Sequence, residues 1–299
     1  MLTTLHRSSG ACCLALVAAA LVVHPSPALH AQSNKTRIFV SVTDAKGKPV
    51  KGLTKDDFIV KLDGGDQEVL SVQPATEPAS IVIMTDRLGL VPTYPAYEAH
   101  AALGNFVKAI RAGIPDSKMA LMTFDGTVIT LNSFSSGPAE LDKNLGKLTS
   151  IAQDAVVLDG LFEAAKVLRT APTPRKVIFA VVAGYRPDQS NVRTDTLGEV
   201  LRLSGAQVWV IEVRSSQGGN WANDARETVL DRTSKLSGGW IDIVASPNGL
   251  ETMCRQMAEQ LAGQYDLTYG PGGGVSASQL TVNVKQAGLK VLAPIWTDR

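Results

Sequence analysis

Between residues 79 and 264, short apolar runs alternate with amphipathic stretches. Ala79–Thr85 reads ASIVIMT, and Arg175–Val182 and Gln207–Val213 are nearly continuous in apolar residues. Such runs suit strands covered on both faces, in the middle of a parallel sheet. Helical periodicity lies between them: Tyr97–Arg111 places Ala101, Leu103, Phe106 and Ile110 on one side, and Val157–Leu168 does the same with Leu158, Leu161, Ala165 and Leu168. Further helices are predicted over Ala139–Leu148, Thr194–Arg202, Asn223–Ser237 and Leu250–Leu261, and a short strand over Gly239–Ile243. Lys118–Phe124 and Thr127–Leu131 read as a hairpin turning at Asp125-Gly126. Strand and helix alternating in this order predict an α/β fold, with a doubly wound, mostly parallel Rossmann-like sheet and Thr127–Leu131 as its antiparallel edge.

Both ends of the chain show a different period. Thr36–Val42 alternates apolar and polar residues, and Asp57–Leu62 and Glu68–Val72 flank the turn LDGGD. Beyond Gly263, Gln264–Tyr269 and Leu280–Lys285 alternate again, with Lys290–Pro294 as a short third strand. Each set is too small for a core of its own, which predicts a small β appendage shared by the N- and C-terminal segments. The expected division is a signal peptide over 1–31, an N-terminal β segment over 32–78, the α/β domain over 79–263, and C-terminal strands over 264–299 that pack with 32–78.

The signal assignment rests on Arg7, the apolar run Ala11–Val23, Pro25 and Pro27, and the exit PALHAQ. Cleavage is expected after Ala31, with Ala28 as second choice. The 13-residue run falls short of the roughly 20 that span a bilayer, so no stable membrane anchor is expected after cleavage, and the protein is expected in the periplasm or secreted. Cleavage removes one of the 29 Lys and Arg and none of the 28 Asp and Glu, which leaves the remainder formally neutral. It also leaves His100 and Cys254 as the last histidine and cysteine. A Cys/His zinc site is thereby excluded. No G-x-S-x-G precedes His100, and no Walker-type glycine loop is present. Nucleic-acid binding lacks a basic footprint. Cys254 reads as a buried small hydrophobe. No acid–base or nucleophile set assembles, so an enzyme is not expected.

In order and spacing, the mature chain resembles the von Willebrand factor type A domains, in particular an exported bacterial group. The resemblance is carried by DAKGKPVKGLTKDDFIVKLDGGDQEV before the α/β region and by AGQYDLTYGP and LTVNVKQAGLKVLAP after it. It implies a metal-ion-dependent adhesion site: an Asp-x-Ser-x-Ser loop after the first sheet strand, a Thr from a later loop, and an Asp after a further strand, together holding Mg²⁺ or another divalent cation that takes a partner's carboxylate. Hard cations need such oxygen ligands. Here Asp86 matches the leading aspartate, but Leu88 and Leu90 stand at the serines, Asp159 at the threonine and Ala183 at the second aspartate. Arg87 adds a positive charge that opposes a cation.

The expectation is a degenerate site and no metal cofactor, with Asp86 and Asp159 as the ligands if a cation binds at all. Asp86 is otherwise expected to cap or pair locally, with Arg87 or another cation, and Asp159 to N-cap its helix. Arg87 is a candidate to receive a partner carboxylate directly. Tyr94 and Tyr97, in GLVPTYPAY, are candidate contacts at the C-terminal edge of the sheet. Trp221 and Trp240, near loops, are candidate partner contacts, Trp209 is expected in the core, and Asp188 and Asn191 in a solvated turn. The function implied is a non-catalytic protein-binding or scaffolding module of the cell envelope, its protein partner unidentified. The alternative is a cation-dependent adhesion module with an altered ligand set. N-terminal sequencing of the native protein is expected to begin at Gln32, and an intact Met1 would refute export by cleavage.

Overall fold

The computed structural model describes residues 35–85, 96–148, 154–183, 188–214, 224–245, 247–270 and 279–295. Its centre is β4 (Ala79–Thr85), whose seven residues are all buried. Successive side chains point to opposite faces of a strand. Ile81 and Ile83 accordingly enter one apolar cluster, and Val82 and Met84 the other. Around β4 lie β5 (Lys118–Thr123), β6 (Ile129–Asn132), β7 (Arg175–Ala183), β8 (Gln207–Val213) and β9 (Trp240–Val244), in the order β6-β5-β4-β7-β8-β9. All neighbours pair in parallel except β5 and β6, which pair antiparallel at the edge.

Helices cover both faces. The first cluster is completed by α1 (Ala96–Gly113), α2 (Pro138–Leu145) and α6 (Pro247–Ala262). The stripe Ala99, Leu103, Phe106 and Ile110 of α1 follows the i, i+3/i+4 rule, while Ala101, expected on the inner side, is exposed, and Phe106 stacks on Phe179 of β7 with ring centroids 3.7 Å apart. The second face holds α3 (Val157–Arg169), α4 (Thr194–Ser204) and α5 (Asp224–Ser237), through Leu161, Leu168, Leu197, Leu201 and Leu230. Cys254 of α6 is fully buried in the first cluster, and burial pushes its thiol pKa up. Trp209 of β8 is likewise in the core. Trp240, expected near a loop, opens β9, is half-buried, and carries the Lys290 ammonium 5.1 Å from its ring centroid.

The terminal segments form a second sheet, larger than an appendage. β1 (Thr36–Thr43), β2 (Phe58–Leu62), β3 (Gly65–Pro74), β10 (Tyr265–Gly270), β11 (Leu280–Val284) and β12 (Lys290–Leu292) lie in the order β11-β2-β3-β10-β1-β12. All its ladders are antiparallel. β10 fills the gap between β1 and β3, so neither end of the chain completes this sheet without the other. The Leu280 N–H donates to the Ile295 carbonyl at 2.7 Å, tying β11 to the segment after β12 and curling the sheet around Val40, Val60, Leu267 and Val282.

A buried polar cluster joins the two sheets. Arg175, at the start of β7, is 1 % exposed. Its guanidinium donates to Gln264 Oε1 (2.8 and 3.1 Å) and to the carbonyls of Ala75 and Leu261. Gln264 Nε2 in turn donates to Gln207 Oε1 at 2.6 Å and to Ser41 Oγ at 3.0 Å. Burial holds the Arg175 pKa down at about 10, so the charge depends on these acceptors. In a double-mutant cycle, Arg175→Met and Gln264→Ala are each expected to destabilise by about 2–4 kcal/mol, with a coupling of about 1–3 kcal/mol. Urea unfolding measures both, and strictly additive losses would show that the two side chains act independently.

Candidate functional site at the C-terminal edge of the parallel sheet

The strands β4, β5, β7 and β8 end on one side of the sheet, where α/β folds bind ligands. Asp86 and Arg87 follow β4 directly in sequence but lie, with Tyr94 and Trp221, outside the described residues. Tyr97 belongs to α1, and its side chain is also outside them. Asp159 is described, and its surroundings give the site its character.

Three segments are stitched together at this edge. The Val156 N–H donates to the Phe124 carbonyl at 2.9 Å, the Gly126 N–H to Asp154 O at 2.7 Å, and the Gln189 N–H to Ala155 O at 2.8 Å. Gly160 lets the first turn of α3 press onto the sheet: a Cβ there would stand 2.6 Å from Met84 Cε and 3.3 Å from Phe124 Cβ. This close approach puts the free N–H groups of α3 against the loop 188–192.

That loop satisfies the helix end. A helix leaves its first N–H groups without internal partners, and the residue before α3 is Val156, which has no side-chain cap to offer. Asp188 Oδ1 instead accepts from the Val157 N–H at 2.8 Å. Ser190 Oγ accepts from the N–H groups of Leu158 (2.9 Å) and Asp159 (3.1 Å) and donates to Asp188 Oδ1 at 2.9 Å. That uses the hydroxyl's one donor and both its lone pairs. Asp159 reciprocates: its carboxylate accepts from Asn191 N–H (3.0 and 3.1 Å) and Val192 N–H (2.8 Å). Two expectations are corrected here. Asp159 is not the N-cap of α3 but the clamp on the loop, because it lies inside the helix as its third residue. Asp188 is not in a solvated turn, because the α3 N-terminus recruits it as acceptor and it is half-buried, whereas Asn191 is exposed and only its backbone N–H is held, by Asp159.

Burial raises the Asp188 pKa, against the lowering effect of its bonds from Ser190 and Val157 and of the Arg226 charge. Arg226, 2 % exposed, lies 3.4 Å from Glu212, 3 % exposed, near the end of β8. Arg214 reaches the same Glu212 at 3.1 Å and Glu227 at 2.8 Å. Asp125, two residues after β5, is also buried, at 2 % exposed. The sheet edge thus carries many charges, most of them engaged with each other or with backbone.

Among the described residues no group of three or more His, Cys, Asp or Glu is placed to hold a metal ion. Asp159, the one candidate ligand in view, has both oxygens on backbone N–H groups. His100 is half-buried in α1, where desolvation lowers its pKa.

No protein-family model matches the chain, and no curated protein does. Solved structures do. Proximal thread matrix protein 1 from the mussel byssus, in a structure whose MIDAS motif is occupied by zinc, superposes with a TM-score of 0.50 at 15 % identity, over 66 % of this chain and 48 % of that one. The fold is von Willebrand factor type A-like. A von Willebrand factor type A protein from Catenulispora acidiphila aligns over 89 % of this chain and 76 % of its own, with a TM-score of 0.49 and 12 % identity. The SpRpn10 VWA domain aligns over 59 % of this chain and 93 % of its own, with a TM-score of 0.45 and 12 % identity. The chain spans about half the length of the mussel protein it matches. At these identities the likeness is one of fold.

The capping loop makes a testable claim. Asp188→Ala and Ser190→Ala are each expected to cost about 1–2 kcal/mol, as loss of a helix cap does, while Asp188→Asn keeps an acceptor and costs less. The sign of the pH effect follows from the raised pKa. The stability that Asp188 contributes is full below its unfolded value near 3.8 and is lost as the pH rises through the folded value. Asp188→Asn should remove that loss, so the mutant and wild-type stability curves converge as pH rises from the acid side. Parallel curves would refute the assignment.

Proposed function

We propose that this chain is a non-catalytic protein-binding or scaffolding module of the cell envelope, working without a divalent cation. The supporting observation is the state of Asp159. Both its oxygens accept backbone N–H groups of the 188–192 loop, and that loop in turn closes the α3 N-terminus. A cation drawing on Asp159 would compete with those bonds. At the other places of the metal-ion-dependent adhesion site, Leu88, Leu90 and Ala183 bring no side-chain oxygen.

A partner would then be met by side chains. Arg87 offers a guanidinium fork that can take a carboxylate where the fold family uses a metal. Tyr94, Tyr97 and Trp221 are the candidate aromatic contacts on this reading. Residues 1–31 serve as a cleaved signal on this reading, 32–78 and 264–299 as one β unit, and 79–263 as the binding domain, in the periplasm or outside the cell. Among the described residues no helix is long and apolar enough to cross a membrane.

Melting the mature protein in EDTA and then in about 5 mM Mg²⁺ or Mn²⁺ tests the metal-free reading, because an ion that binds only the folded state raises the melting temperature. No shift is expected. A rise that vanishes in Asp86→Ala and in Asp159→Ala would establish the cation-dependent alternative.

A further inference from the structure

At the opposite, N-terminal edge of the parallel sheet, β1, the start of β7 and the end of α4 enclose a recess of about 240 Å³. Its charged lining residues are all cations: Arg37, Lys176 and Arg202. Two carboxylates lie close by, and both are spent on Arg37: Asp266 at 2.6 Å and Glu77 at 2.7 Å. Arg202 is different. It is half-buried in the last turn of α4, and its guanidinium has no hydrogen bond or ion pair among the described residues. The negative end of the helix dipole accounts for a cation at that position. It does not supply the planar acceptor that five fixed N–H donors match.

The walls narrow the choice of ligand. Ile38, Phe39, Pro174 and Pro294 line the recess, so a group entering it needs an anionic head and an apolar stem. A planar anionic membrane surface fits a flat or convex cationic face and would leave this concavity unfilled. A glutamate side chain has both parts: two methylenes for the apolar wall and a carboxylate for the Arg202 fork.

We propose that this recess receives an acidic side chain, glutamate in chemistry, from an extended segment of a protein partner, with Arg202 as the principal contact. The proposal rests on the protein-binding reading but places the contact at the other end of the sheet from Asp159, so the two can fail separately.

The test is calorimetric titration of the mature protein with a glutamate oligopeptide, with inorganic phosphate and with vesicles containing phosphatidylglycerol. Saturable peptide binding is expected, weakened about tenfold or more by Arg202→Glu and less by Arg202→Lys, which keeps the charge but loses the fork. Lys108→Glu, an equal charge change at an exposed site on α1, should leave affinity unchanged. Circular dichroism and melting curves establish that each variant is folded. Absence of saturable peptide binding would overturn the proposal. So would phosphate or vesicle binding without peptide binding, or an equal loss in Lys108→Glu, which would reduce the effect to net charge. None of these results bears on Asp86→Ala or on the metal-free reading, which the EDTA comparison decides.

Discussion

Arg175 sits where the two sheets meet, and the arrangement of both follows from its need for acceptors. A buried guanidinium without partners is among the more destabilising groups a core can hold. Here the acceptors come from two distant parts of the chain: Ala75 just after β3, and Leu261 at the end of α6 with Gln264 just before β10. Gln264 passes the constraint on to Gln207 at the head of β8 and to Ser41 in β1. Gln207 Nε2 extends it to the carbonyls of Phe39 and Gly238. A shift of β10 along β1 or β3 would move Gln264 away from Arg175 and strand several polar groups at once. Apolar burial alone tolerates such slips, whereas a polar network with specific partners does not. The cluster therefore links the register of the antiparallel sheet to that of the parallel one.

The edge that carries the candidate site is governed by a related constraint. The α3 N-terminus presents N–H donors at a place where the fold offers a ligand-binding crevice. Those donors must be satisfied, by ligand, by water or by the protein itself. Asp188 and Ser190 make the third choice, and Asp159 returns the favour to the loop that carries them. The arrangement is mutual: the helix orders the loop and the loop caps the helix. The Asp159 carboxylate is thus used by the chain itself, accepting from two consecutive backbone N–H groups of the loop.

Much of the parallel sheet was legible in the sequence because its signals are local. Ala79–Thr85 and Gln207–Val213 coincide with β4 and β8, since a continuous apolar run with β-branched residues has few alternatives. Boundaries moved where a longer-range bond intervened. β6 starts at Ile129 and not at Thr127, because the Gly126 and Thr127 N–H groups are taken by Asp154 and Asp125. β3 extends over Gly65–Pro74, well beyond Glu68–Val72, because pairing with both β2 and β10 carries polar residues that show no apolar period. α6 begins at Pro247, ahead of the expected Leu250, with a proline suited to a first helical turn. The pairing of Asp159 with Asn191 and Val192 was not legible at all. Its partners lie more than thirty residues away, and no spacing rule relates them.

The two ends of the parallel sheet also differ in how their charges are used. At the C-terminal edge, Glu212 is shared between Arg226 and Arg214, and Arg214 reaches on to Glu227. Removing Arg226 or Glu212 would leave its buried partner short of a counter-charge, whereas Arg214 and Glu227 are more than a third exposed and lose less. At the N-terminal edge, Arg175 makes four hydrogen bonds and Arg37 is matched by two carboxylates, but Arg202 is not matched among the described residues. An unmatched guanidinium at a half-buried position keeps part of its hydration and can exchange it for a partner's carboxylate at modest cost. Charge pairing within the chain therefore predominates among the described residues of the C-terminal edge, and the unmatched Arg202 is the feature of the N-terminal edge that the proposed acidic contact would use.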